Sequence, residues 1–348
     1  MIAMLLSASV AFFVTIVLTP IAIRFFRAEG IGQFIQDEVD HAHKQGTPTM
    51  GGLVMILAVT LGWLAGHLDA RTPEGDISLN FKPFLTPGLL VLLAFVGMGL
   101  IGFLDDLAKV TKARNLGLKK RWKFAGQLAI AALFAGGAIG DSASTELAFT
   151  RPLGIDLGWF YAVLVLVMLT ATSNAVNITD GLDGLASGSA ALVFGAFVII
   201  SFWQFRHPEF YAVVGSLEIA VLSAALVGAT LGFLWWNAAP AKIIMGDTGS
   251  QALGGAMAAL ALLTNTHLLL VVLGGLYVLE TVSVILQVIS FRGFKRRIFR
   301  MAPLHHHFEL KGWPETTVIV RFWILAALFV ALGLGLFYGD FITSGGIG

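Results

Sequence analysis

Two adjacent carboxylates, Asp105 and Asp106, are the first residues of the sequence whose types and spacing suggest chemistry. If the preceding helix continues through them, Lys109 lies one turn further along on the same face as both. Neighbouring carboxylates at a membrane boundary are costly unless a cation or a proton lies between them. They therefore suit a catalytic base with an electrostatic or metal-linked partner, and Lys109 suits contact with a phosphate. A solvated helix end explains the same three residues equally well.

A second polar segment, residues 177–184, reads Asn-Ile-Thr-Asp-Gly-Leu-Asp-Gly and carries Asn177, Asp180 and Asp183 at three-residue spacing. Its glycines permit tight turns and a close approach of the backbone to a ligand. An EF-hand calcium loop is excluded, because that loop needs ligands at alternating positions and a closing glutamate. An Asx-rich turn between two helices is the competing interpretation. We favour a binding role, because binding residues concentrate on loops held by a rigid scaffold.

Asp247 lies in the segment Met-Gly-Asp-Thr-Gly-Ser, residues 245–250, between a glycine and small hydroxyl side chains. A lone aspartate in this setting can coordinate a divalent ion that also binds a diphosphate. The same residue would also suit the N-cap of a helix. The two interpretations are compatible, because a helix N-terminus favours anions nearby.

Three consecutive histidines, His305, His306 and His307, follow a Pro-Leu pair. Consecutive side chains project in different directions on any backbone, so the three cannot ligate one zinc ion from one helical face. We expect one or two of them to contact a phosphate or another part of a substrate, with the third structural. A fifth polar segment, from Lys44 to Gly52, is a weak signal on its own.

Membrane helices are the elements that must position these residues. Of the 348 residues, 57% are hydrophobic and 12% are charged, whereas soluble domains carry roughly 25% charged residues. Apolar runs of spanning length predict about ten transmembrane helices, in an all-α integral membrane protein with a single polytopic domain, residues 1–348. Asn265-Thr266-His267 separates the eighth run from the ninth. The predicted spans are roughly 2–26, 50–68, 86–104, 124–140, 158–176, 186–204, 212–233, 250–265, 267–291 and 317–338.

Lysine and arginine residues give the orientation of these helices. All but four of the 22 lie in the loops after the odd-numbered helices, or at the helix ends beside them, and those loops are therefore cytoplasmic. The first apolar run has no basic region before it, so we interpret it as a retained span rather than a cleaved signal. An even number of spans then puts both termini on the external, periplasmic side. Every polar segment described above falls in the cytoplasm. The four basic residues on the other side are Arg71, Lys82, Arg151 and Arg206.

Other features of the sequence are assigned to structure rather than to chemistry. Residues 97–102 match G-x-G-x-x-G, but they lie inside an apolar helix with no preceding strand, so they predict helix packing. Glu218 and Glu280 lie within predicted spans, and each is left outside the site. The chain has no cysteine, which excludes disulfide and thiolate chemistry, and its net charge of +1 gives no indication of nucleic-acid binding.

Together, these motifs resemble those of the polyprenyl-phosphate N-acetylhexosamine-1-phosphate transferase superfamily, and most closely its peptidoglycan branch. They occur in family order over essentially the whole chain, and the ten-helix topology is similar. The histidine segment with its Lys-Gly-Trp-Pro-Glu tail is typical of the branch that uses muramoyl donors. The segments that carry the resemblance are Thr47–Gly52, Gly102–Asp106, Asn177–Gly184, Gly232–Asn237, Met245–Ser250 and Pro303–Glu315.

The resemblance implies an enzyme of the bacterial cytoplasmic (inner) membrane, working as a homodimer. Its reaction is the transfer of phospho-N-acetylmuramoyl-pentapeptide from UDP-MurNAc-pentapeptide to undecaprenyl phosphate, giving lipid I and UMP, with Mg²⁺ as cofactor. By the same resemblance, Asp247 is the Mg²⁺ ligand, and Asp105 and Asp106 are the catalytic pair near the lipid phosphate. Ile244 stands where the family often has an aromatic residue for uracil stacking, although an aliphatic side chain can also pack on a base.

The remaining site residues also follow from the resemblance. We group the three histidines with the three aspartates as catalytic, and Lys109 and Ile244 with the substrate-binding residues. The implied nucleoside pocket is Lys44, Asp180, Gly181, Leu182 and Asp183, and its polar surround is Thr49, Asn177, Asn237, Gln287, His305, His306 and His307.

Three other interpretations stay open. A related transferase could use a UDP-N-acetylhexosamine donor. A transporter would place its polar groups near the bilayer midplane on broken helices, often in repeats. An aspartyl intramembrane protease is suggested by Asp247-Thr248-Gly249, but its Gly-x-Gly-Asp form would need glycine where Ile244 stands. The depth of the aspartates in a structure separates these classes.

Overall fold

The computed structural model describes residues 1–32, 46–69, 80–111, 117–141 and 143–345. Over these residues the chain is a bundle of helices with two small antiparallel hairpins, β1–β2 and β3–β4. The helices are α1 Ile2–Ala28, α2 Gly52–Gly66, α3 Thr86–Thr111, α4 Lys120–Gly140, α5 Phe160–Thr179, α6 Leu185–Arg206, α7 Pro208–Tyr211, α8 Ser216–Asn237, α9 Gly246–Leu263, α10 Leu270–Leu273, α11 Gly275–Phe294, α12 Leu304–Glu309 and α13 Glu315–Thr343. The strands are β1 Leu68–Asp69, β2 Asn80–Phe81, β3 Glu146–Ala148 and β4 Pro152–Asp156.

Within the described ranges, eight helices are long and apolar enough to cross a membrane, namely α1, α3, α4, α5, α6, α8, α11 and α13. Many large apolar side chains on the outer helices face outwards, among them Phe13 and Leu328. Such surfaces belong in lipid, where helices satisfy their own backbone groups. The chain is therefore a multi-pass membrane protein. Helices α2 and α9 coincide with the other two predicted spans, but α2 has only 15 residues and α9 begins with a polar turn.

Helix α9 lies at the centre of the bundle. Every residue from Thr248 to Leu263 is buried, and α3, α5 and α2 pack around it. Its glycines and alanines explain this position, because small side chains let neighbouring backbones approach closely. A Cβ atom added to Gly102 of α3 would overlap the carbonyl oxygen of Asp247, and one added to Gly52 of α2 would overlap the backbone of Gly249.

The G-x-G-x-x-G segment inside α3 is a packing surface, as predicted. An added Cβ atom at Gly97 would meet Ile130 of α4, and one at Gly99 would meet Ile56 of α2. The predicted break between the eighth and ninth spans is also confirmed. Helix α9 ends at Leu263, Asn265 has a φ of 52°, and the short α10 precedes α11.

Both hairpins lie at the end of the bundle away from the aspartates. The N–H of Ala148 in β3 donates to Nε2 of His267 at 2.7 Å, and its carbonyl accepts from the N–H of Leu268 at 3.1 Å. Both partners follow the C-terminus of α9, whereas Asp247 lies in its first turn, about 25 Å away along the axis. The β3–β4 hairpin lies between the predicted spans 124–140 and 158–176, and the β1–β2 hairpin begins at Leu68, the last residue of the predicted span 50–68. Both hairpins are an addition to the predicted all-α fold.

Candidate active site

The carboxylates of Asp105, Asp106 and Asp247 come together although they belong to two helices. Each offers an oxygen atom, and these atoms all lie within 4.8 Å of one another. Asp105 and Asp106 are 5% and 4% exposed near the end of α3, and Asp247 is half-buried in the first turn of α9. Helix α3 continues to Thr111, beyond the predicted span, so both of its aspartates are helical. Three hard oxygen donors at this spacing fit a divalent cation such as Mg²⁺.

Asp106 caps the first turn of α9 from a neighbouring helix. Its Oδ1 accepts from the N–H of Asp247 at 3.1 Å, and its Oδ2 accepts from the N–H and Oγ1 of Thr248 at 2.9 and 2.7 Å. Asp247 is not the N-cap of its own helix, because α9 begins at Gly246 with no side-chain cap from Met245. The side chain of Asp247 is therefore available for other partners.

Two lysines surround the carboxylates. Nζ of Lys109 lies 2.8 Å from Asp105, 3.1 Å from Asp247 and 3.7 Å from Asp106. The predicted shared face of Lys109 and the two adjacent aspartates is thus confirmed. Nζ of Lys123, in the first turn of α4, lies 2.9 Å from Oδ2 of Asp247. Three carboxylates and two ammonium groups leave one negative charge on the cluster.

Lys123 was not predicted, because in the sequence it is one of several basic residues around the start of α4. We expect Lys123→Gln to lower turnover about tenfold to hundredfold, because a charged donor beside a transferring phosphate is lost while Lys109 remains. The matched control is Lys120→Gln, which removes an equal but exposed charge from the same turn. The measurement is the steady-state rate of the purified protein. Equal rates for both variants would remove Lys123 from the site.

The end of α5 joins this cluster to the second polar segment. Nδ2 of Asn177 donates to Oδ1 of Asp247 and to Oγ of Ser250, both at 2.9 Å. Asp180 follows α5 directly, and its N–H donates to the carbonyls at the end of that helix. Oδ2 of Asp183 accepts from the N–H of Ala241 at 2.8 Å, so this segment also anchors the loop before α9.

Other predicted contact residues shape the loops around the cluster. Oδ1 of Asn237 accepts from Oγ of Ser187 at 2.8 Å, and its Nδ2 donates to the carbonyl of Ile243 at 3.0 Å. Ile244 pairs through its backbone with the segment before α2, donating to Pro48 at 2.8 Å and accepting from Gly51 at 3.0 Å.

Three further predicted residues, Thr49, Leu182 and Lys44, have different surroundings. Thr49 lies beside Gly246, where an added Cβ atom would be 3.0 Å from its Oγ1. Leu182 is buried among the apolar side chains of α6, α11 and α13. Lys44 lies outside the described residues.

The three histidines diverge, as predicted. His305 is fully buried, and its Nδ1 lies 3.2 Å from Oε1 of Glu280 in α11. Its Nε2 faces Gly181, where an added Cβ atom would overlap the ring. Nδ1 of His306 lies 2.7 Å from Oε2 of Glu309. Nδ1 of His307 accepts from the N–H of Arg300 at 3.0 Å.

Glu280 is not among the predicted site residues, but the structure places it beside the N-terminus of α12, the helix that carries the three histidines. Besides facing His305, its Oε2 accepts from the N–H of Leu304 at 2.7 Å. Gln287, about two turns nearer the C-terminal end of α11, holds the next loop. Its Oε1 accepts from the N–H groups of Ile298 and Phe299, both at 3.0 Å. Glu218, in contrast, is a paired structural group that accepts from Nε1 of Trp63 at 2.8 Å.

Comparison with known proteins decides the family. Residues 88–265, which include the three aspartates, match glycosyl transferase family 4. The chain belongs to this family. A phospho-N-acetylmuramoyl-pentapeptide-transferase of Frankia alni is 50% identical over 98% of each chain. Those of Saccharopolyspora erythraea and Streptomyces coelicolor are each 47% identical, over 97% of this chain and 97% and 98% of the relatives.

Membership of glycosyl transferase family 4 confirms the resemblance drawn from the motifs. The match covers α3, the end of α5 and the first turn of α9, which are the elements that bring Asp105, Asn177 and Asp247 together. The relatives match over nearly the full chain, so the histidine segment and α13 lie within the shared length.

Proposed function

We propose that this chain transfers phospho-N-acetylmuramoyl-pentapeptide from UDP-MurNAc-pentapeptide to undecaprenyl phosphate, giving lipid I and UMP. The main observation that supports this function is the cluster of Asp105, Asp106 and Asp247 with Lys109 and Lys123. Phosphoryl transfer needs little more than positioning, a metal and charge neutralisation. The names of relatives that are about half identical over nearly the whole length support the transferred group, phospho-N-acetylmuramoyl-pentapeptide. The nucleotide and the lipid acceptor follow from the resemblance of the motifs.

The geometry divides the work among the residues. Asp106 spends its acceptor sites on the first turn of α9, so it holds Asp247 in place. By the resemblance, Asp105 would accept a proton from the lipid phosphate, whose oxygen attacks the sugar-bearing phosphorus as the bond to UMP breaks. Lys109 and Lys123 neutralise the phosphates. Asp247 would hold Mg²⁺, which when bound would neutralise charge on the diphosphate.

We also propose that the protein lies in the bacterial inner membrane, and that it works there as a homodimer. Ten spans, counting α2 and α9, put both termini outside and the aspartate cluster at the cytoplasmic surface, beside lipid headgroups that basic loops attract. Supporting this, the aspartates and the histidine helix lie at helix ends and in loops, while both hairpins lie at the opposite end of α9. A transporter would instead need polar groups near the middle of the spans.

The test uses the purified full chain in detergent with undecaprenyl phosphate and Mg²⁺. Release of UMP and formation of lipid I from UDP-MurNAc-pentapeptide are expected, with little turnover of UDP-N-acetylglucosamine. The reverse donor preference would assign the chain to a related transferase. An absence of UMP release from either donor would overturn the proposal.

Substitutions of Asp105 and Asp106 are expected to have different effects on the pH–rate profile and on the stability of the fold. Asp105→Asn should lower turnover strongly and remove the acidic limb from the pH–rate profile of the residual activity, because a base must be deprotonated to act. Asp106→Asn should also destabilise the fold by about 1–3 kcal/mol, because an amide turns a donor towards the N–H groups of α9. Thermal unfolding and pH–rate profiles measure both effects. An Asp105→Asn variant that kept the wild-type acidic limb would contradict this division of roles.

A further inference from the structure

A cavity of 570 Å³ opens between the last turns of α11 and the segments on either side of α12. Most of its wall is apolar, with Val288, Phe291 and Met301 among the lining side chains. Three arginines also line it, namely Arg292, Arg297 and Arg300. The combination of an apolar wall with several guanidinium groups is typical of a site for a small anion that carries apolar groups.

The arginines of this cavity have no counter-ion within the part of the chain that the structure describes. All three side chains are exposed and none lies within ion-pair distance of a described carboxylate. Arg300 is held in place, because its Nη1 donates to the carbonyl of Leu310 and its N–H donates to Nδ1 of His307 at 3.0 Å. Partial desolvation and the charges of Lys311 and Arg300 lower the pKa of His307. The local field is therefore positive.

The cavity lies beside the segment proposed to hold the donor. At one end of α12, His305 packs against Gly181, and just past its other end Leu310 lines the cavity. Gln287, a predicted substrate contact, lies in the same wall. A helix of six residues is about 9 Å long, whereas five extended residues span up to about 17 Å. A peptide attached to the donor sugar is thus long enough to reach the arginines.

We propose that this cavity binds the peptide part of the donor, and that its arginines receive the carboxylate at the free end of that peptide. The proposal rests on the proposed function. A linear peptide joined through its amino end to the lactyl group of a muramoyl sugar ends in a carboxylate, and arginine pairs with carboxylates in a two-pronged geometry. The apolar wall would pack on small side chains along the peptide.

The experiment measures the activity of two arginine variants with each of three donor substrates. The variant is Arg297→Gln, and the matched control is Arg296→Gln, which removes an equal exposed charge one residue away, outside the cavity lining. Both are assayed as full chains in nanodiscs of neutral lipid and again in nanodiscs that contain phosphatidylglycerol. The donors are UDP-MurNAc-pentapeptide, the same donor with a carboxamide at the peptide terminus, and UDP-MurNAc without peptide.

Arg297→Gln should lower kcat/KM for the free-acid donor about tenfold, mainly through KM, because one charge-assisted pair is lost. It should change the rate with the amide donor or UDP-MurNAc less than about twofold, and Arg296→Gln should leave all three donors unchanged. Equal losses with all three donors would overturn the inference and leave the proposed function standing. A loss that is specific to membranes containing phosphatidylglycerol would assign the arginines to lipid and also overturn it. Wild-type chain that turns over none of the donors would overturn the proposed function and this inference with it.

Discussion

Asp247→Asn is expected to lower turnover at saturating Mg²⁺ by at least about a thousandfold, since losing a metal ligand removes several kcal/mol of transition-state stabilisation. The fold should survive. The amide oxygen of the new side chain can still accept from Asn177, Lys109 keeps its ion pair with Asp105, and Lys123 is partly exposed. The measurements are lipid I formation, thermal unfolding and calorimetric titration with Mg²⁺.

The control for this variant is Asp156→Asn, which changes an exposed carboxylate in the hairpin at the opposite end of the bundle. It should retain wild-type turnover and Mg²⁺ binding. Near-wild-type turnover or unchanged Mg²⁺ affinity in Asp247→Asn would remove Asp247 from the metal role, whatever the rate of the control.

Gly102→Ala is expected to lower both the stability of the fold and the rate of turnover. The new Cβ atom would overlap the backbone carbonyl of Asp247, and a backbone cannot turn aside as a side chain can. Overpacking of this kind costs about 1–3 kcal/mol. Moving α3 away from α9 also separates Asp106 from the N–H groups that it caps, and a displacement of about 1 Å at a reacting centre costs about a hundredfold in rate.

Gly195→Ala is the matched control for this change, because Gly195 lies in α6 with open space where its Cβ atom would be. It should keep its unfolding temperature and its activity. Thermal unfolding and turnover, measured on both variants, separate the two positions. If Gly102→Ala had the same stability and turnover as Gly195→Ala, the close contact between α3 and α9 would not be needed for either property.

Local sequence patterns predicted those parts of the architecture that depend on residues close together in the chain. Apolar runs located the helices, the break near Asn265 follows from three polar residues, and helical spacing placed Lys109 beside Asp105 and Asp106. The divergence of the histidines needed only the geometry of consecutive side chains. In each case the interacting residues lie within about one or two turns of one another.

The parts of the site that were not predicted depend on contacts between distant helices. Lys123 reaches Asp247 from the start of α4, Glu280 supports His305 from within an apolar helix, and Asp106 caps α9 across 141 residues of sequence. No periodicity relates such positions. The N-cap pattern before Thr248 was a correct sign of a helix start, but the capping carboxylate comes from another helix.

The long separation between Asp106 and α9 has a consequence for the order in which the protein is made. At about 5–20 residues per second, the ribosome needs roughly 10–30 s to pass from Asp106 to the first turn of α9. Over that interval the carboxylate of Asp106 lacks the N–H groups of α9 from which it later accepts. Lys109, which pairs with Asp105 and lies 3.7 Å from Asp106, is within about one turn of both on the same helix, and it emerges almost at once. Its ammonium group therefore offsets the negative charge of the two carboxylates until the residues of α9 have been synthesised.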